Sequence, residues 1–173
     1  SGAGWVTLAI PEPLHTALAG QFIEATWLLL PHEDGFIAAE AAEVVRTNLS
    51  KPTALLMGPG FGMRETSGDF IAALLMDGEN LPSLVIDADG LKLLAQISKW
   101  WGQLSGCAVL TPHPGEMSIL TGLSKSEIQA DRIKIAEKFA QEWGHVVVLK
   151  GAFTVIAAPE GRTAIIPVAT PAL

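Results

Sequence analysis

The sequence has little cysteine and few basic residues, and each shortage excludes a class of protein. Cys107 is the only cysteine among 173 residues, so no internal disulfide can form, as is usual in the reducing cytosol. Lys and Arg total 11 against 18 Asp and Glu, which gives a net charge of −7, and the basic residues form no cluster. A chain without a basic patch is not expected to bind nucleic acid.

Long hydrophobic runs are also absent. Gly, Pro, Asp or Lys interrupts every apolar stretch within about ten residues, so no segment is expected to span or bind a membrane. No signal peptide is visible, and we expect the protein to be cytoplasmic. The first residue is Ser1 rather than Met, and a strand-like segment follows almost at once, so we expect the chain to be cut at its start.

Hydrophobic residues make up 49% of the chain, and strand-like and helix-like segments alternate along it. Three segments, 54–57, 84–86 and 146–149, are uniformly apolar, which is typical of parallel strands buried on both faces. The pattern predicts a doubly wound α/β fold with a mainly parallel sheet. We expect residues 1–173 to form one domain that is incomplete at both ends.

The remaining pattern predicts further elements. Ser124 has the spacing of a capping box and is expected to open one helix that reaches Trp143. Cys107 is expected in a buried strand over 107–110, and the tryptophans are expected to pack rather than to bind a ligand. A hairpin is expected around 159–162. Helices are predicted over 38–49, 66–76 and 91–104.

Four clusters of unusual residues follow predicted strands, at 58–62, 87–90, 111–116 and 150–154. Ligands of open parallel sheets bind beyond the carboxyl ends of the strands, so Gly60, Asp89, His113 and Lys150 are expected to converge at one edge. The glycines of the first cluster let a backbone approach a phosphate or sugar, or they form only a tight turn. Asp87 and Asp89 either bind a cation or polar substrate, or one of them caps a helix.

The third and fourth clusters have the more specific chemistry. Two prolines hold His113 rigidly enough to bind a substrate, whereas the other three histidines have no such setting. Glu116 either holds Mg²⁺ near a phosphate or complements a helix N-terminus. Lys150 can offer its ammonium to a nucleotide phosphate or simply end a strand, and Thr154 adds a hydroxyl. The segment does not fit the Walker A pattern of P-loop NTPases.

These four motifs, in this order and spacing, resemble those of the NAD(P)H-hydrate dehydratases, which are ribokinase-like proteins with a three-layer α/β/α fold. The resemblance covers essentially the whole chain. It implies dehydration of hydrated NADH or NADPH, in which ADP or ATP phosphorylates the ring hydroxyl and phosphate is then eliminated. It also implies a homo-oligomer, and an epimerase domain that is fused to the dehydratase or acts with it.

The resemblance assigns roles to individual residues. Substrate-binding residues would be Gly60, Gly62, Asp89 and His113, and Glu116 would stand near phosphate-bound Mg²⁺. The nucleotide site would comprise Lys150, Gly151, Ala152, Phe153 and Thr154. The family's catalytic aspartate lies in a Gly-Thr-Gly-Asp loop, which is expected beyond Leu173. We therefore expect these 173 residues alone to be inactive and prone to aggregate.

Two alternatives stay open. A small-molecule kinase of the same superfamily, acting on a sugar, hydroxymethylpyrimidine or thiazole, would share the fold. His113 favours the dehydratase, because those kinases more often have asparagine there. A non-catalytic nucleotide-binding protein is the third interpretation.

Overall fold

The computed structural model describes residues 2–76 and 81–168. Its centre is a six-stranded sheet with the order β10-β9-β8-β7-β6-β5. Strands β5 to β8 run parallel, β9 is antiparallel to β8, and β10 is antiparallel to β9. The strands are β5 (Ala54–Met57), β6 (Ser83–Ile86), β7 (Val109–Leu110), β8 (Val146–Leu149), β9 (Val155–Ala157) and β10 (Thr163–Ile165). The expected hairpin around 159–162 is confirmed as β9 and β10.

Seven helices lie among the described residues, and successive helices from α2 to α6 pack against one another. The last helix packs on β8 and β9. The helices are α1 (Glu12–Leu18), α2 (Ala41–Thr47), α3 (Glu65–Met76), α4 (Asp89–Leu94), α5 (Pro114–Thr121), α6 (Lys125–Ala130) and α7 (Arg132–Trp143). None of these helices is long and apolar enough to cross a membrane.

Two short sheets precede the central one. β1 (Thr7–Pro11) pairs in parallel with β2 (Thr26–Leu30), and β3 (His32–Glu33) forms a hairpin with β4 (Phe36–Ile37). The hairpin places Phe36 beside the glycine turn that follows β5. These elements join the α/β core through Leu30 and Ile37, which are both buried in it.

One expectation about the sheet was wrong. β5 is an edge strand of the six-stranded sheet, and the side chain of Leu56 is 61% exposed. An apolar run shows that a strand is hydrophobic, but it does not show whether neighbours cover both faces. The other two apolar strands, β6 and β8, lie inside the sheet, and their residues Leu84, Ile86, Val147 and Leu149 are buried.

Three helix predictions were too long, and the first of them, over 38–49, forms a helix only over Ala41–Thr47. The helix predicted over 91–104 ends at Leu94, and a 3-10 turn over Trp100–Gly102 follows it. Lys99 has a left-handed backbone there, which turns the chain so that the buried Trp100 packs against Trp143. The helix predicted from Ser124 to Trp143 breaks at Asp131, whose side chain accepts the Lys134 N–H and caps α7.

The prediction for Cys107 was also wrong. The residue is exposed and precedes β7, which begins at Val109. Packing was the correct interpretation for Trp100 and Trp143, which are buried next to each other. The buried His145 stacks on Trp100, and its ring nitrogens lie within hydrogen-bond distance of Ala108 N and Trp101 O.

Candidate functional site

The carboxyl ends of β5 to β8 lie at one edge of the sheet, because these four strands are parallel neighbours. Gly60, Asp89, His113 and Lys150 each follow one of these ends. The predicted convergence of the four clusters is therefore confirmed. Three backbone hydrogen bonds join the four strand ends in succession, from Asp87 N to Met57 O, from Thr111 N to Ile86 O and from Lys150 N to Pro112 O.

The glycine turn passes very close to the loop that follows β6. Gly58 has φ +117°, and a Cβ built on it would lie 1.9 Å from Asp87 O. No side chain fits in that space, so glycine is required for the two loops to meet. At Gly62 a Cβ would lie 2.8 Å from the ring of Phe36, whereas Gly60 faces open space. Gly60 is also exposed, so a ligand can approach its backbone.

Asp89 links the glycine turn to helix α4. One carboxylate oxygen accepts the Gly62 N–H at 3.0 Å, and the other accepts the Lys92 ammonium at 2.8 Å. The bond from Lys92 and the Gly62 N–H outweigh partial burial, so the pKa of Asp89 lies below its ordinary value. The helix cap is Ala88, whose backbone is unusual at φ 52°, so neither acid caps α4 with its side chain.

His113 and Glu116 form a reciprocal capping box at the start of α5. His113 Nδ1 accepts the N–H groups of Gly115 (2.9 Å) and Glu116 (3.2 Å), and Glu116 Oε2 accepts the His113 N–H at 2.9 Å. Because Nδ1 is an acceptor, the neutral ring carries its proton on Nε2. The side chain of His113 is 51% exposed, whereas that of Glu116 is only 4% exposed. His113 Nε2 also lies 3.3 Å from Glu116 Oε1, so a ligand oxygen that binds the exposed ring at Nε2–H would compete with this carboxylate.

Lys150 lies between two carboxylates from different loops. Its ammonium is 2.6 Å from Asp87 Oδ1 and 3.8 Å from Glu116 Oε2. Burial would raise the pKa of Asp87, but hydrogen bonds from Lys150 and Thr111 outweigh it and hold the pKa below its ordinary value. The ion pair therefore fixes the lysine at the junction of β6, β7 and β8, where a nucleotide phosphate could compete for it.

The segment after β8 is shaped by unusual backbone and by one arginine. Gly151 has φ +143°, and Phe153 has φ +56° with a side chain that is 53% exposed. A positive φ is costly for a phenylalanine, and such strain clusters at ligand sites. Thr154 is buried, and its hydroxyl donates to Gly151 O. The Arg132 guanidinium binds the carbonyl oxygens of Leu149, Lys150 and Ala152.

Sequence reasoning missed three contributors to this edge. From the sequence, Asp87 was considered only together with Asp89, as one of two neighbouring acids. Its ion pair with Lys150 joins residues 63 positions apart, so the sequence around Asp87 does not indicate it. Lys92 stands three residues after Asp89, a helical ion-pair spacing that could have been noticed. Arg132 opens α7, and nothing in its neighbourhood in the sequence points to the loop that it contacts.

The described residues contain no group of three or more His, Cys, Asp or Glu side chains that could hold a metal ion. Magnesium that arrives on nucleotide phosphates does not need such a cage, because one or two carboxylates and water complete its shell. Asp87 and Glu116 provide two carboxylates on either side of Lys150. The donor set therefore fits a nucleotide-bound Mg²⁺ and does not fit a resident metal held by protein alone.

Comparison with known proteins places these motifs in a family. A family model described as NAD(P)H-hydrate dehydratase matches residues 1–173. The chain is 38% identical to the bifunctional NAD(P)H-hydrate repair enzyme Nnr of Moorella thermoacetica over 174 residues, and 38% identical to that of Salinibacter ruber over 176 residues. Each alignment covers 100% of this chain and 32% of the relative, so the chain spans about a third of their length.

Solved structures show the same relationship. An ADP/ATP-dependent NAD(P)H-hydrate dehydratase from Bacillus subtilis, co-crystallised with ATP/Mg²⁺, superimposes with a TM-score of 0.74 at 28% identity, covering 96% of this chain and 55% of that one. A ribokinase-like superfamily protein from Enterococcus faecalis gives a TM-score of 0.78 at 22% identity, covering 98% of this chain and 55% of that one. The expected ribokinase-like α/β fold is thereby confirmed.

Proposed function

Because this chain belongs to the NAD(P)H-hydrate dehydratase family, we propose that its protein converts hydrated NADH or NADPH back to the reduced dinucleotide at the expense of ADP or ATP. The hydroxyl oxygen of the hydrated ring would take the terminal phosphoryl group of the nucleotide and lose its proton. The phosphate would then leave with that oxygen while the neighbouring ring carbon loses a proton, which restores the ring double bond. The protein's part is to bind and orient both reactants at the sheet edge.

The observation that carries this proposal is the ion-paired Lys150 at the meeting point of three loops. The ammonium lies within 4 Å of both Asp87 and Glu116 in the free protein. A nucleotide phosphate would offer it a stronger, charge-assisted partner, and the released carboxylates could then face Mg²⁺ or its waters. This exchange suits a site that must bind a polyanion reversibly within an acidic protein.

The hydrated dinucleotide is proposed to bind at the glycine turn and His113. Gly60 and Gly62 bring backbone close to the ligand, and Asp89 holds the Gly62 end of the turn through its hydrogen bond. The exposed His113 would donate its Nε2–H to an oxygen of the hydrated dinucleotide, in competition with Glu116 Oε1 at 3.3 Å. These residues would orient the ring hydroxyl toward the nucleotide.

The nucleotide side is proposed to lie on residues 150–154. Lys150 would bind phosphate, and Gly151 and Ala152 would offer backbone N–H groups. The exposed, strained Phe153 has a ring face on which an adenine could stack, and Thr154 keeps the turn closed through its bond to Gly151 O. Mg²⁺ would neutralise phosphate charge when bound, and Glu116 would hold one of its waters.

A direct assay tests the proposal. Hydrated NADH is incubated with the protein, Mg²⁺ and either ADP or ATP, and the return of absorbance from the reduced ring is recorded. We expect nucleotide-dependent recovery and release of inorganic phosphate in equal amounts. Phosphorylation of a small alcohol, such as a hydroxymethylpyrimidine or thiazole, with no action on the hydrate, would instead establish the kinase alternative.

We further propose that the protein acts in the cytoplasm as a homo-oligomer, together with an epimerase that interconverts the two hydrate epimers. The bifunctional repair enzymes named among its relatives support the last point. Adding an epimerase to the assay should raise the recovery from an epimer mixture, and light scattering reports the oligomeric state.

A further inference from the structure

Arg132 makes a concentrated set of contacts with the segment that follows β8. Its Nη2 donates to Leu149 O at 2.8 Å and to Lys150 O at 3.1 Å, and its Nη1 donates to Ala152 O at 2.5 Å. One guanidinium thus holds three carbonyl groups within a stretch of four residues. A lysine has no planar fork of donors and could not reproduce this arrangement.

The position of Arg132 does not serve its own helix. It is the first residue of α7, where the helix dipole disfavours a positive charge, and the preceding Asp131 already caps the helix. Partial burial lowers the pKa of Arg132, and its Nε is buried with no hydrogen-bond partner within residues 2–76 and 81–168. These costs indicate that the residue serves the loop that it contacts.

The three carbonyls set the direction of three peptide groups, since C=O and N–H point opposite ways across a trans peptide. Two of the corresponding N–H groups have partners, because Lys150 N donates to Pro112 O and Phe153 N donates to Val168 O. The third, Gly151 N–H, has no partner among the described parts of the chain. It points away from the guanidinium and is free to receive an acceptor.

We propose that Arg132 is a positioning residue, which holds the Lys150–Gly151 peptide so that the Gly151 N–H binds a phosphate oxygen of the adenine nucleotide. The inference rests on the proposed nucleotide-dependent function. Gly151 suits both contacts, since a Cβ there would lie 3.0 Å from Arg132 Nη2 and would push the guanidinium aside. Arg132 itself does not touch the nucleotide.

The test compares Arg132→Met and Arg132→Lys with Arg162→Met as the matched control, in the complete protein. Arg162 is exposed, and its side chain pairs with Glu160 in the β9–β10 turn and with no other residue that the structure describes. Titration calorimetry measures the affinity for ADP and for adenosine, which has no phosphate. We expect both Arg132 variants to bind ADP at least about tenfold more weakly and to weaken adenosine binding much less, because Phe153 keeps its own backbone bond to Val168 O.

Two further readouts separate positioning from general stability. The Gly151 amide resonance of the unmodified protein should shift on adding ADP but not on adding adenosine, a result that needs no variant to fold. Equal weakening of ADP and adenosine, or an unmoved Gly151 amide, would overturn the inference. If the unmodified protein binds ADP but does not repair the hydrate, the proposed function fails while the role of Arg132 stands. If it binds neither ADP nor ATP, both fail.

Discussion

At the scale of single residues, the tight packing of the glycine turn predicts how much stability a substitution at Gly58 would cost. Gly58→Ala would place a Cβ within 2 Å of Asp87 O and within 3 Å of Gly90 N, at a φ that alanine rarely adopts. We expect a loss of at least about 3 kcal/mol in the free energy of unfolding, measured with urea. Gly60→Ala is the control, because its Cβ meets nothing within 4 Å, and it should cost only about 1 kcal/mol.

The ion pair of Lys150 and Asp87 predicts a pH dependence. The pKa of Asp87 is lowered in the folded protein, so its stabilising contribution is present above the ordinary value of 3.8 and is lost as pH falls through the folded value. The stability difference between the native protein and Lys150→Met should therefore be largest near neutral pH and shrink below about pH 3.8. Lys150→Met should also weaken ADP binding.

The control for this prediction is Lys134→Met. Lys134 pairs with Asp131 at the surface, where ion pairs contribute little. Urea unfolding at a series of pH values compares the two variants. A stability difference for Lys150→Met that stays constant down to pH 3 would show that the pair does not lower the pKa of Asp87.

Residue-scale reasoning from the sequence succeeded where a side chain lies next to a recognisable turn. Asp89, His113 and Lys150 were placed at the correct edge because each follows an apolar strand. It could not be predicted that Asp87 pairs with Lys150, or that Arg132 binds the carbonyl oxygens of residues 149–152. Both contacts join distant segments through the sheet, and the local sequence does not record which segments become neighbours.

At the scale of elements, the N-terminus of α5 separates two roles of His113. His113→Ala removes the acceptor that caps the helix and should cost about 1 kcal/mol of stability, in addition to weakening dinucleotide binding. His113→Asn restores a capping oxygen but has no ring. We expect the asparagine variant to regain stability without regaining affinity for the dinucleotide, measured by thermal unfolding and by titration with NADPH.

A result in which His113→Asn recovers both properties would reduce His113 to a helix cap. A result in which neither recovers would mean that asparagine does not cap α5. The control is His15→Ala, which changes a half-buried histidine on α1 that packs edge-to-face against Trp27 and lies far from the sheet edge in sequence. His15→Ala should leave the affinity for the dinucleotide unchanged.

Element boundaries explain where periodicity failed. The apolar spacing from Ile128 to Trp143 continues across Asp131, but an aspartate competes for backbone N–H groups and starts a new helix instead. Apolar residues after Leu94 also have helical spacing. The helix nevertheless ends there, because the chain takes a left-handed turn at Lys99 that buries the Trp100 ring. Periodicity reports which residues are buried, and it does not report where the chain changes direction.

At the scale of the whole molecule, the negative net charge predicts that salt changes the rate at which a nucleotide binds. At the site the carboxylates of Asp87, Asp89 and Glu116 are matched in number by the cations Lys92, Arg132 and Lys150, but the whole chain carries a net charge of −7. A nucleotide is therefore repelled on approach by the charge of the whole molecule. Raising ionic strength from about 10 mM to about 150 mM shortens the Debye length from about 30 Å to about 8 Å, and should speed ADP association.

Stopped-flow measurements with a fluorescent ADP analogue would determine the association rate. Adenosine, which is uncharged, should associate at a rate independent of salt. An ADP rate that falls as salt increases would show that the cations of the site dominate the field around it, in spite of the negative net charge.

The order of strands and helices made the α/β class predictable from the sequence, and the four motifs made the family recognisable. The solvent exposure of side chains on the strands was less predictable. Leu56 lies on an edge strand although its neighbours in sequence are as apolar as those of the interior strands. Whether a strand has a neighbour depends on the global arrangement, which no window of residues contains.

The antiparallel arrangement of β8, β9 and β10 has a consequence for how the chain folds. These strands are connected by short turns and α7 packs on β8 and β9, so this C-terminal portion can form from contacts that are local in sequence. The parallel pairs β5–β6 and β6–β7 each require closure of a long crossover, which is slow. Folding should therefore start at the end of the sheet that carries the nucleotide loop, and the glycine turn after β5 should be ordered last.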